Sequence, residues 1–231
     1  MHPQNPQYTI TPVARIRTDY QSKFGIPRQS GMTDSKGIIV FEPGFRNPDA
    51  LRGIEEFSHL WLLWVFSENV DKEFTPTVRP PRLGGNERRG VFATRAPFRP
   101  NHIGMSCVRL ESVDYDGPDG PILKVSGADM LDGTPIIDVK PYVSMDCIPD
   151  ASCGFSDAAS GYRLKVSIPD ESVLSPVPPE KRQALSDILA LDPRPSYHDD
   201  PERVYGFLFA GFEVKFTVSG DVLTVVSCEK A

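Results

Sequence analysis

Eight helix-breaking residues fall inside one stretch of 28: Pro80, Pro81, Gly84, Gly85, Gly90, Pro97, Pro100 and Gly104 all lie within residues 77–104. Proline fixes φ and lacks an amide donor, and glycine favours tight turns, so no long helix can pass through this part of the chain. It must fold as loops and short extended pieces on a scaffold, and scaffolded loops are where binding and chemistry concentrate. The same stretch carries six arginines (Arg79, Arg82, Arg88, Arg89, Arg95, Arg99), no lysine, one acid (Glu87) and one histidine (His102). The whole chain has a formal charge of -6, so a local charge of about +5 is a concentration of cations. A planar guanidinium stays charged at any working pH and matches carboxylate or phosphate geometry. A solvated charged face is the competing explanation, but such faces mix signs and use lysine freely.

Around this stretch the pattern is one of short strands. Residues 8–18, 37–41, 58–66, 90–94, 105–113, 121–127 and 135–140 are rich in β-branched or aromatic residues and bounded by turn formers. One short helix is expected over residues 50–56, with Asn47 as N-cap, Pro48 at the first helical position and Asp49 in the first turn. Many short strands with little helix predict a β-barrel or sandwich. Residues 148–161 are rich in Ser, Ala, Asp and Gly, which places a domain boundary there and divides the chain into 1–148 and 149–231. Beyond it the pattern predicts a strand over 162–168, a helix over 179–191 and strands over 204–209, 212–218 and 222–227. The last two form a hairpin about Ser219-Gly220-Asp221, giving a small α+β domain. From residue 149 onward the charge is -5, against -1 before it, so this second domain is no general RNA clamp.

Several classes are set aside. Cys107, Cys147, Cys153 and Cys228 form no C-x-x-C pair, and His2, His59, His102 and His198 lack ligand spacing beside them, so no metal is expected. The longest apolar run, residues 60–66, is far short of a membrane span, and no secretory signal is visible, so a cytoplasmic protein is expected. Neither a P-loop nor a G-x-G-x-x-G between strand and helix is present, which argues against a Rossmann methyltransferase. DPRPSY (192–197) has an arginine between its prolines and follows a helix end, so it is not the Asp-Pro-Pro-Tyr motif of Rossmann adenine methyltransferases. Trp61, Trp64 and Phe66 read as core, and His59 as a hydrogen-bonded strand residue.

Five blocks carry a family resemblance. PTVRPPRLGGNERRGVFATRAPFRPNHIGMS (76–106), KFGIPRQSG (23–31), FSHLWLLWVF (57–66), GADMLDGTPIIDVKPY (127–142) and DPRPSY occur in order and cover most of the chain. Together they resemble the TsaA-like (YaeB/TrmO) family of tRNA N6-methyltransferases. The resemblance implies a single-sheet β-barrel, a non-Rossmann methyltransferase domain that uses S-adenosyl-L-methionine, and assembly as a homodimer with tRNA as partner. Carried over block by block, the cofactor site would use Arg28, Gln29, Ser30, Gly31 and Met32, then Ser67 and Glu68, Arg95, Met105, and the turn Asp132, Gly133, Thr134, Pro135 and Ile136. An arginine fork suits the methionyl carboxylate, and Glu68 suits ribose hydroxyls or the α-amino group. DGTP reads equally as an ordinary turn.

The family's substrate is a threonylcarbamoylated adenosine beside the anticodon, whose carboxylate and flanking phosphates need further cations. Arg82, Arg88, Arg89 and Arg99 are the candidates, with Arg194 and Tyr197 of DPRPSY as further substrate residues. Tyr142 or Phe98 could stack an unpaired base, although Phe98 reads equally as core. The expected activity is methyl transfer to N6 of that nucleoside, with no residue assigned as catalytic base. A non-catalytic S-adenosylmethionine-binding regulator and a plain RNA-binding module are the alternatives.

Overall fold

The structure, a computed structural model, describes residues 7–80, 87–156, 161–194 and 200–231. Strands β1 (Ala14–Thr18), β2 (Lys36–Phe41), β3 (His59–Val65), β4 (Thr77–Val78), β5 (Arg89–Gly90), β6 (Ile103–Asp114), β7 (Ile122–Ser126) and β8 (Pro135–Pro141) come first. Strand β9 (Lys165–Ser167), helix α1 (Pro179–Ala190), and strands β10 (Tyr205–Phe209), β11 (Phe212–Ser219) and β12 (Val222–Lys230) follow.

Six strands close an antiparallel barrel in the order β1-β2-β7-β6-β3-β8, with β8 returning to β1. The alternation of β3 shows why the sequence does this: Leu60, Leu62 and Trp64 are buried, while Trp61 and Leu63 face outward and are only partly covered. Ala14 and Ile16 of β1, Ile39 of β2, Leu123 and Val125 of β7 and Ile136 of β8 complete the interior. Gly37 leaves room for Ile16, whose Cδ1 would stand 3.0 Å from a Cβ there. The short β1–β8 seam, Ala14 with Ile136 and Arg15 with Pro135, closes the sheet on itself.

A second core lies under the sheet β10-β11-β12-β9, in which only the β12–β9 pair is parallel. Leu185, Ile188 and Leu189 of α1 pack there with Phe207, Phe209, Phe216 and Leu223. Tyr20, Phe24 and Ile26, which follow β1 in the chain, belong to this core rather than to the barrel. Tyr20 bridges to Phe209, the Ala210 amide donates to the Asp19 carbonyl at 2.9 Å, and Lys181 of α1 pairs with the Asp19 carboxylate. Gly25, at φ +94°, lies so close to the Phe207 ring that a Cβ would meet it at 2.4 Å.

The single-sheet barrel and the C-terminal sheet with its helix match the expected fold class. Several local expectations fail for identifiable reasons. The helix over 50–56 is two 3-10 turns, Pro48–Leu51 and Ile54–Glu56, because Gly53 takes φ +86° between them; Asn47 still caps, its Oδ1 accepting from the Asp49 amide at 3.0 Å. Of the strand over 90–94 only Gly90 is strand, in β5; Val91–Ala93 is a 3-10 turn, curled by the Thr94 amide donating to the Val91 carbonyl. The expected strands over 8–18 and 162–168 are ordered as strand only in β1 and β9.

Candidate active site

Strands β1, β3 and β7 finish at the same end of the barrel at which β2, β6 and β8 begin, so their connections converge there. A cleft of about 430 Å³ opens at that end, a volume ordinary for a small-molecule site. Its walls come from four places far apart in sequence: residues 23–29 after β1, 64–69 at the end of β3, 94–105 leading into β6, and 129–134 after β7.

Among the expected cofactor residues, Arg28, Gln29, Ser67, Glu68, Arg95, Met105 and Thr134 line this cleft. Arg95 Nη1 donates to Gln29 Oε1 at 2.6 Å, which ties the arginine-rich loop to the β1–β2 connection. Lys23 Nζ reaches across to the Glu68 carbonyl at 3.2 Å. The other expected residues stand behind the wall. Ser30 Oγ accepts from the Cys107 amide at 3.0 Å, and the Gly31 amide donates to the Gly127 carbonyl at 2.9 Å. Met32 does not line the cleft. Asp132 Oδ1 accepts from the Thr18 amide at 2.9 Å, and Gly133 takes φ +76° with its carbonyl accepting from Arg15. Pro135 begins β8, and Ile136 is wholly buried in the barrel. The turn therefore fixes the wall, and only Thr134 of it touches the cleft.

The substrate candidates divide similarly. Arg99 lines the cleft, and its Nη1 donates to the carbonyls of Val91 at 3.0 Å and Thr94 at 2.8 Å, so it shapes its own loop. Arg88 donates to Thr77 Oγ1, and Arg89 pairs with Glu87 at 2.7 Å with its Nε buried and unpartnered. Tyr142 lies outside the cleft against Trp61 and His59, and Trp61 Nε1 donates to Asp146 Oδ2 at 2.9 Å on the barrel exterior. Arg194 is largely buried and pairs with Asp192 at 3.0 Å. Arg82 and Tyr197 lie outside the described residues. Neither of the two described histidines lines the cleft: His59 Nδ1 meets Ser58 Oγ, and His102 Nδ1 meets the Pro97 carbonyl at 3.0 Å.

Sequence reasoning missed Asp129. It sits in the wall at the foot of a hydrogen-bonded chain: Trp64 Nε1 donates to the buried Ser106 Oγ at 3.0 Å, and Ser106 Oγ donates to Asp129 Oδ1 at 2.6 Å. Burial pushes its carboxyl up to about 6, against the opposing pull of the Ser106 hydroxyl and the nearby Arg95 charge. The only signal was one acid in an otherwise apolar run between β7 and the glycine turn, inside a block whose later half drew the attention. Trp64 and Phe66, with ring centroids 4.3 Å apart, form the apolar side. The cleft thus opposes a guanidinium to a carboxyl beside aromatic surface, which suits a ligand carrying both signs of charge on an apolar body.

Comparison with known proteins agrees with this architecture. The family model for the tRNA-methyltransferase O N-terminal domain matches residues 15–147, and that for the TrmO C-terminal domain matches residues 168–231. A protein of Escherichia coli (strain K12) named tRNA (adenine(37)-N6)-methyltransferase is 41% identical over 223 residues, covering 93% of this chain and 94% of that protein. A Pseudomonas aeruginosa protein named "Putative S-adenosylmethionine-dependent methyltransferase RcsF" is 41% identical over 207 residues, 86% of this chain and 87% of that one. A crystal structure of TrmO from Pseudomonas aeruginosa superposes with a TM-score of 0.79 at 32% identity, covering 100% of both chains. On these matches over most of its length, the chain is a member of the tRNA-methyltransferase O family.

Proposed function

We propose that this chain transfers a methyl group from S-adenosyl-L-methionine to N6 of threonylcarbamoyladenosine at position 37 of tRNA. Membership of the family supports the coarser part, a tRNA (adenine(37)-N6)-methyltransferase. The observation that carries the cofactor reading is the placement of Arg95 and Asp129 in the lining of one cleft of adequate size, close enough for the Arg95 charge to act on the Asp129 carboxyl. When bound, S-adenosylmethionine supplies an electrophilic methyl group. The Arg95 guanidinium, with Arg28 beside it, would hold the methionyl carboxylate. Asp129 would take the ammonium group, Glu68 the ribose hydroxyls, and Trp64, Phe66 and Met105 the apolar body.

Methyl transfer is an in-line displacement, so holding donor and acceptor in register supplies much of the rate. The carbamoyl carbonyl on N6 withdraws electrons and acidifies the N–H that must be lost. The placement of His59 and His102 outside the cleft fits a reaction without a histidine base. Arg88, Arg89 and Arg99 would face the substrate's carboxylate and phosphates. The protein works in the cytoplasm as a homodimer whose two-fold axis sets two cationic loops side by side and widens the positive surface.

Mass spectrometry of tRNA nucleosides from a strain lacking the gene tests the reading. Loss of N6-methyl-threonylcarbamoyladenosine, restored by this gene, is expected. An unchanged level of that nucleoside would overturn it.

A further inference from the structure

Phe92 is 72% exposed and Phe74 is 46% exposed, yet the two rings stack on each other, with centroids 6.2 Å apart and planes 26° from parallel. Hydrophobic burial cannot account for a ring that open. The local structure holds it outward. Val91, next to Phe92, is buried and anchors the 3-10 turn Val91–Ala93, so the following side chain must point to solvent. The Val91 amide also donates to the Pro76 carbonyl at 3.0 Å, which brings the Phe74 segment alongside.

Arg99 completes the arrangement. Its guanidinium carbon lies 5.6 Å from the Phe92 ring centroid, and its hydrogen bonds to the Val91 and Thr94 carbonyls fix it to the same turn. Arg99 itself lines the cleft, so the ring pair neighbours a cleft-lining residue. Residues 87–99 bring four arginines and a single acid, Glu87, which is paired with Arg89.

Exposed aromatic rings interleaved with arginine on a cationic loop are the surface chemistry that unpaired nucleic-acid bases recognise: the π-face takes the base and the cations take the backbone. A second copy of the chain fits less well. Two rings are too small an apolar area for a stable subunit interface. We infer that the Phe74–Phe92 pair is a stacking platform for an unpaired base of the RNA, one adjacent to the nucleotide that enters the cleft. The inference rests on the tRNA reading above.

The test measures binding of a labelled anticodon stem-loop RNA by the full chain, for wild type, Phe92→Ala, Phe74→Ala and Phe92→Tyr, across a salt series. Loss of one stacked base predicts that Phe92→Ala weakens binding roughly tenfold, with Phe74→Ala in the same direction. Phe92→Tyr, which keeps the π-face, should stay within about twofold of wild type. The slope of affinity against salt should not change, because a stacking contact releases no counterions. Wild-type affinity in Phe92→Ala overturns the platform, as does a change in sedimentation of that variant, which would mark a subunit contact. Failure of the wild-type chain itself to bind the RNA would instead overturn the tRNA reading.

Discussion

Gly104 and Trp64 are direct partners across the β3–β6 ladder, and a Cβ placed on Gly104 would meet the indole at 2.4 Å. The glycine is what lets the Trp64 ring lie over its neighbouring strand, where its Nε1 reaches Ser106 and, through Ser106, orders Asp129. Gly104→Ala should therefore push the ring toward the cleft and break that chain. Overpacking of this kind costs about 1–3 kcal/mol. The expected result is a lowered melting temperature together with weaker cofactor binding and altered Trp fluorescence. A variant with unchanged emission and affinity would show that the indole has another place to go.

Arg95→Ala should weaken S-adenosylmethionine binding by about 2 kcal/mol or more, some thirtyfold, because the ligand carboxylate loses its partner in a closed site. Arg95→Lys should recover only part, since a point charge cannot hold both Gln29 and a carboxylate in one plane. Calorimetry decides this. A dissociation constant within twofold of wild type for the alanine variant would remove Arg95 from the site.

Asp129 offers a pH experiment with a definite sign. Its carboxyl is held at about 6 in the fold, against an ordinary value near ~3.9 in the unfolded chain. Between these values the folded protein binds more protons, so the group's contribution to stability is complete below about pH 4 and is lost as pH rises through about 6. Asp129→Asn should stabilise the fold at pH 8 by up to about 3 kcal/mol, and by little near pH 4. Cofactor affinity should fall in wild type as pH drops through about 6, and should be weak and flat in the variant. Urea denaturation at the two pH values would contradict the assignment if the gain were equal at both.

Replacing either histidine should spare turnover. His59→Ala removes only contacts with Ser58 and the Tyr142 ring, outside the cleft. His102 holds φ +49°, so His102→Asn is the cleaner substitution, because asparagine tolerates the left-handed region. Loss of methyl transfer with cofactor and tRNA binding intact, in either variant, would revive a histidine base.

Binding of tRNA should weaken steeply as salt rises, in line with several guanidinium–phosphate contacts. Sedimentation should give a dimer at micromolar concentration. A flat salt series, or a fully active monomer, would count against the shared cationic surface.

An all-β barrel or sandwich was legible in the sequence because segments rich in β-branched and aromatic residues between turn formers, such as residues 58–66 and 135–140, do form β3 and β8, and closure into a barrel was what the family resemblance added. Backbone conformation at single glycines was not: Gly53 splits an expected helix, and no local pattern distinguishes it from a tolerated helical glycine. Residues 90–94 read as a strand from composition but are curled by carbonyl contacts from Arg99, which is visible only in three dimensions. Arg95, Gln29 and Glu68 emerged from motif blocks. Asp129 did not, because its character comes from burial and from Ser106, whose hydroxyl lies on another strand.

The placement of Tyr20, Phe24 and Ile26 has a consequence for the order of assembly. These side chains rest on Phe207, Phe209 and Phe216, which leave the ribosome more than a hundred and fifty residues later. All six barrel strands are made by Pro141, so the barrel can close while the segment that carries Arg28 and Gln29 still lacks its apolar support from the C-terminal sheet. The cleft is therefore finished last, when the C-terminal sheet arrives, and a nascent chain stalled before β10 would hold a closed barrel with one wall of its mouth lacking that backing.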